Sequence, residues 1–245
     1  MQKNTILFVV IALFVGFIAG FWLANSLNRS AIGSGVPQKP QASPNSNTQQ
    51  PAKEPELTDE EIKAKIAEAD RNPTNFTFQK EFGTALYQYA AMKQDTSLLP
   101  DAARILDRAI SIDPKDFDAL ASAGNAHFDI GFAKKDARQF QKAREIYTNA
   151  LELKPGDPNV STDLGLTYYW QEPPAYEKAA AQLQKVIDAN PKHTRSMHYL
   201  IRTLIKQNKL TEAEQVLAKL KAIDPNYDAI PDLTSEISAA RKGEK

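Results

Sequence analysis

Four prolines follow helix-like segments at nearly even intervals: Pro114 (SIDPKD), Pro155 (ELKPGD), Pro191 (DANPKH) and Pro225 (AIDPNY), spaced by 41, 36 and 34 residues. A period of this length means that one short supersecondary unit is repeated, and that each copy must stack on its neighbours to bury its apolar face. Twelve residues before each proline stands a small residue, Ala102, Ala143, Ala179 or Ala213. Fifteen before it stand Leu99, Phe140, Tyr176 and Leu210, and eight before it Leu106, Tyr147, Leu183 and Leu217. Offsets of three and four residues put these side chains on one helical face, and the proline halts the helix.

A second helix precedes each of these, marked by Gly83, Gly124 and Gly165. Phe82, Ala123 or Leu164 comes just before the glycine, and Tyr87, Phe128 or Tyr169 four residues after it. Two helices approach closely where one offers a residue without bulk, so the glycines are expected to face the alanines, with aromatics filling the gaps. The last unit has Leu200, Ile201 and Leu204 there, which predicts a looser crossing. With these residues in place, the units resemble tetratricopeptide repeats, whose 34-residue helix–turn–helix carries small residues, an aromatic and a closing proline in this arrangement. The resemblance covers residues 76 to 226. It implies an all-α solenoid of about four units, at about 76–116, 117–157, 158–193 and 194–227, within an array spanning 75–226. Seven extra residues in each of the first two units are expected in the hairpin turns, around Lys93 to Pro100 and Gly131 to Ala137.

Arrays need atypical ends, because a terminal unit exposes its stacking face. Upstream, in a flanking segment over 56–74, Thr58 and Glu61 form a capping box ahead of Ile62, Ile66 and Ala69. Downstream, in 228–245, Pro231, Leu233 and Ile237 predict a closing helix to about Arg241 and a polar tail.

Residues 1–29 read as an anchor. No charged side chain occurs from Asn4 to Asn28, and Ile6 to Ala24 is apolar for 19 residues. At about 1.5 Å per residue this spans about 28 Å, close to the roughly 30 Å of a bilayer core, so lipid contact is expected over residues 5–27. A cleaved signal peptide is the alternative, but its apolar core is shorter, and Ala24-Asn25-Ser26 is a poor cleavage site. Gly16 and Gly20 form a GxxxG pair that would let two such helices approach. Lys3 against Arg29 gives a weak bias towards a cytoplasmic N-terminus and an extracytoplasmic, periplasmic array. Residues 30–55, rich in Ser, Pro, Gln and Asn, cannot bury enough surface to fold and read as a linker. Anchor, linker and array together resemble the layout of membrane-anchored bacterial tetratricopeptide-repeat proteins.

Chemistry is sparse. The chain has no cysteine, three histidines and 30 basic against 30 acidic residues. No nucleotide-binding, metalloprotease or serine-hydrolase motif occurs, so no catalytic role and no cofactor is predicted. No metal is predicted either: His193 and His198 lie five apart, off the spacing that would put two ligands on one helix face. Net neutrality gives no basic footprint for nucleic acid. What remains is a surface. The resemblance implies that first helices line a concave groove, contributing Asn125, Phe128, Tyr169, Trp170, Arg195, His198, Arg202 and Lys206: an aromatic patch beside a basic one, suited to a protein or peptide partner that carries a carboxylate. Some members of this family hold a terminal carboxylate with a lysine–asparagine clamp. Lys80 fits that pattern, but Thr84, Ser122, Asn159 and Asp163 do not. The expected function is a membrane-tethered scaffold acting in assembly or maturation of an envelope complex. The alternative is a self-assembling homo-oligomer.

Overall fold

A computed structural model describes residues 58–243. The anchor over 1–29, its lipid contact over 5–27, the Gly16–Gly20 pair and the linker over 30–55 lie outside the described residues. Among the described residues no helix is long and apolar enough to cross a membrane.

Ten helices and no strand occur among the described residues, and the chain divides into two compact units, 1–71 and 72–245. In the first, α1 (Asp59–Arg71) opens on the capping box: Thr58 N donates to Glu61 Oε2 at 2.9 Å and Glu61 N to Thr58 Oγ1 at 3.3 Å. These bonds hold the Glu61 carboxyl below its usual range.

The second unit is four helix pairs and a closing helix: α2 (Phe76–Lys93) with α3 (Leu99–Ile112), α4 (Phe117–Lys134) with α5 (Ala137–Leu153), α6 (Pro158–Trp170) with α7 (Tyr176–Ala189), α8 (Thr194–Lys206) with α9 (Leu210–Ile223), then α10 (Ile230–Gly243). The prolines act on both sides. Proline disfavours helical backbone in the residue before it, and Asp113, Lys154, Asn190 and Asp224 have ψ of 92°, 78°, 76° and 90°. Two residues after the proline comes the next N-cap: Asn75, Asp116 and Asp157 accept from the amides of Phe78, Ala119 and Val160 at 3.1, 2.8 and 2.9 Å. Each such cap contributes about 1 kcal/mol. In the fourth pair His193 takes this place and makes no capping bond.

The structure revises two expectations. The seven extra residues of the second unit do not lengthen its turn, which is only Lys135 and Asp136. They lengthen α4 and α5 to 18 and 17 residues, against 13 and 14 in α8 and α9. Nothing between Phe117 and Lys134 breaks a helix, and Lys135 adopts the left-handed conformation (φ 52°) that ends it. Nor do the glycines face the alanines. A Cβ on Gly83 would meet Leu106 Cγ at 2.8 Å, one on Gly124 the Tyr147 ring at 2.4 Å, and one on Gly165 Leu183 Cγ at 3.2 Å. The missing side chain makes room for the large residue eight before the proline, while the alanines twelve before it are fully buried. In the last pair Ile201 and Leu217 share an apolar core with Met197, Leu220, Leu233 and Ile237, so α10 covers the end of the stack.

Candidate functional site

First helices of successive pairs lie side by side and are tied at recurring heights. Lys80 Nζ donates to Asp116 at 2.7 Å, Thr84 to Ser122 at 3.3 Å, and Tyr87 Oη to Asp129 at 2.9 Å. Thr162 and Ser196 bond at 2.6 Å, and Arg195 donates to Asp163. The face expected to line a groove is therefore partly occupied with holding itself together.

The eight expected residues separate into two groups. Asn125 accepts a bond from Tyr147 Oη at 2.9 Å, and Phe128 packs edge-on against Phe140 with ring centroids 5.4 Å apart, so both are bound to the second helix of their own pair. Arg195 is committed to Asp163, their side chains only 17% and 8% exposed. Removing one member of a pair this buried costs about 3–5 kcal/mol, which marks Arg195 as part of the frame. His198 is buried, stacks on Tyr199 and bonds Tyr227 Oη through Nδ1 at 3.3 Å. Burial, helped by Arg202 and Arg195, pushes its imidazole down to about 4.

Tyr169, Arg202 and Lys206 come together. With Ile205, Glu236 and Ala239 they line an open pocket of about 430 Å³ between α6, α8 and α10. Arg202 Nη2 donates to Glu236 Oε1 at 2.7 Å, and its Nε lies buried without a partner among the described residues. Burial pushes the Tyr169 phenol up to about 12, although Arg202 opposes this. Tyr169 and His198 thus stay neutral at ordinary pH, and the charge here is carried by Arg202, Lys206 and Glu236. Beyond the pocket lining, the Trp170 ring packs edge-on 4.9 Å from Tyr169 on one side and 4.9 Å from Phe132 on the other.

Sequence reasoning passed over two residues. Phe132 is 47% exposed, beside Trp170. It lies one helical turn beyond Phe128, so the same-face offset of four could have found it. Glu236 stands eleven residues after Pro225, as Arg202 does after Pro191, Leu166 after Pro155, Asn125 after Pro114 and Thr84 after Pro73. The repeat count carried one unit further would have reached it. α10 thus continues the series of first helices, and the groove face runs on to it. Among the described residues no cluster of histidine and carboxylate side chains could hold a metal ion.

Comparison with known proteins agrees with this geometry. A tetratricopeptide repeat family model matches residues 175–237, and the model for the plant-specific mitochondrial import receptor subunit TOM20 matches residues 59–172. The curated mitochondrial import receptor subunit TOM20-4 of Arabidopsis thaliana is 32% identical over 98 residues, 37% of this chain. The chain spans about half of that relative, 52% of its length. Among solved structures, MamA is similar at a TM-score of 0.55 and 20% identity, over 68% of this chain and 88% of that one. YrrB, titled a TPR protein with an unusual peptide-binding site, is similar at a TM-score of 0.51 and 17% identity, over 75% and 84%. Identities this low establish a shared fold and nothing finer.

Proposed function

We propose that this chain, a stack of tetratricopeptide-like helix pairs, is a receptor-like scaffold whose first-helix face captures a segment of another protein. One observation carries the reading. A large aromatic, Phe132, stays 47% exposed, edge-on to Trp170, whose ring in turn meets Tyr169 of the pocket that Arg202 and Lys206 share. Exposed aromatics beside arginine are the arrangement that concentrates binding energy, and the stack supplies rigid support behind them.

The relative named as an import receptor subunit supports a receptor role. It is a plant mitochondrial protein, so it lends nothing to the bacterial-type layout, the periplasmic orientation or the envelope complex expected from the sequence. Membrane tethering rests on the apolar run Ile6 to Ala24. It would confine capture to a membrane surface, with the linker setting the reach of the array.

The test is a double substitution, Trp170→Ala with Arg202→Ala, in the full chain expressed in its own cells. Cross-linked partners recovered with the wild type are expected to disappear, while the melting curve of the variant shows an array still folded at the temperature of the assay. Unchanged recovery would contradict the assignment of this face.

A further inference from the structure

The pocket between α6, α8 and α10 holds more donors than acceptors. Arg202, Lys206 and Tyr169 all border it, while Glu236 supplies its one carboxylate. Glu236 takes up a single Arg202 nitrogen, at 2.7 Å. Lys206 is exposed and forms no ion pair within 4.0 Å among the described residues, and Tyr169 makes no hydrogen bond there. Glu236 itself sits on the closing helix at the height where the preceding units place Arg202, Leu166 and Asn125, and its side chain is 38% exposed. Arg202 itself is only 16% exposed, and Glu236 leaves its buried Nε without an acceptor among the described residues, so the guanidinium keeps donor capacity that Glu236 does not use. An incoming carboxylate competes with Glu236 for this guanidinium, because charge-assisted bonds are the strong ones where water is partly excluded.

We propose that Glu236 is an internal stand-in for the partner: its carboxylate rests on Arg202 in the place that an acidic side chain of the captured segment takes, and it must be displaced when that segment binds. This rests on the groove reading above and adds the chemistry of the occupant. The acidic side chain would be met by Arg202, Lys206 and the Tyr169 hydroxyl. An apolar side chain one or two residues away would lie on the Trp170–Phe132 edge, 4.9 Å between ring centroids. Glu236 thereby sets a threshold that weakly acidic or neutral segments fail to cross.

Calorimetric titration of the full chain in detergent tests this with two soluble peptides, both terminally blocked and serine-flanked, one carrying leucine–glutamate–leucine and the other leucine–glutamine–leucine. Glu236→Gln is expected to tighten binding of the glutamate peptide about tenfold, as the loss of one competing charge-assisted bond requires, and to leave the glutamine peptide unchanged. Adding Lys206→Ala to that variant should abolish the gain. A melting curve superimposable on the wild type's would show that the fold is intact. Equal or weaker binding of the glutamate peptide by Glu236→Gln, no binding at all included, overturns the proposal. If both peptides bind both proteins equally and Trp170→Ala removes that binding, the groove reading stands and the carboxylate assignment falls. Binding that is indifferent to Trp170→Ala overturns both.

Discussion

Gly124→Val is expected to destabilise the array by about 3 kcal/mol, the upper part of the range for forcing atoms into a filled core, lowering its melting temperature by about 6–12 °C. Even a methyl group at this position would lie 2.4 Å from Tyr147 Cε1 and 2.6 Å from Cδ1. The ring cannot step aside, because Tyr147 is 1% exposed and its hydroxyl is bonded to Asn125 Oδ1 at 2.9 Å. Gly165→Ala is the matched control. Its Cβ would meet Leu183 Cγ at 3.2 Å and Gln182 Cγ at 3.4 Å, and alanine is favoured over glycine within a helix by about 1 kcal/mol. The two effects nearly offset, so Gly165→Ala should stay within about 1 kcal/mol of wild type. Urea denaturation followed by circular dichroism measures both. Equal losses in the two variants would contradict the close approach at Gly124.

A second large effect should appear on acidification. His198 is held near 4 in the folded chain, chiefly by burial and further by Arg202 and Arg195, whereas an unfolded imidazole titrates near its ordinary value of 6.5. The folded-state value is depressed, so the unfolded chain gains a proton that the folded chain refuses. Stability present above about pH 6.5 is therefore lost as pH falls towards 4, on the order of 3 kcal/mol for this shift. His193, also lowered by burial, acts in the same direction. Asp107 and Asp116, held below the usual carboxylate range in the fold, contribute losses at lower pH. For this reason the informative quantity is the difference between wild type and His198→Gln. Between pH 7.5 and 4.5 the wild type should lose markedly more unfolding free energy than the variant, and parallel curves would contradict the account.

How far the sequence could be read follows from the kind of signal each feature leaves. Helix ends were legible because a proline leaves a mark at one position, and its companions Asp116 and Asp157 cap the next helix at a fixed distance. Packing partners were less so. Period and spacing put Gly124 and Ala143 in the seam, but only coordinates show that the Tyr147 ring fills the space at Gly124. The extra residues of the second unit were misplaced because their sequence, GFAKKDA, has a glycine and charges that suit a turn as well as a helix end. Within the candidate site, residue type and helical face brought Tyr169, Trp170, Arg202 and Lys206 into one region. Sequence could not show that Arg195 is committed to Asp163, since the pair spans 32 residues and two units. Glu236 was missed for a related reason: its place follows from the count of eleven after Pro225 and not from any residue type shared with Arg202, Leu166 or Asn125, although it continues the same face.

The central claim, that the first-helix face around Trp170 and Phe132 captures another protein, is tested most directly by placing a photo-activatable amino acid at position 132 or at position 112. Both native residues are exposed, Phe132 47% and Ile112 40%, but Ile112 belongs to a second helix away from the pocket. Irradiation of intact cells should give discrete adducts from position 132 that disappear with Trp170→Ala and Arg202→Ala, and none of the same mass from position 112. The same adducts from both positions, or adducts from 112 alone, would contradict the claim.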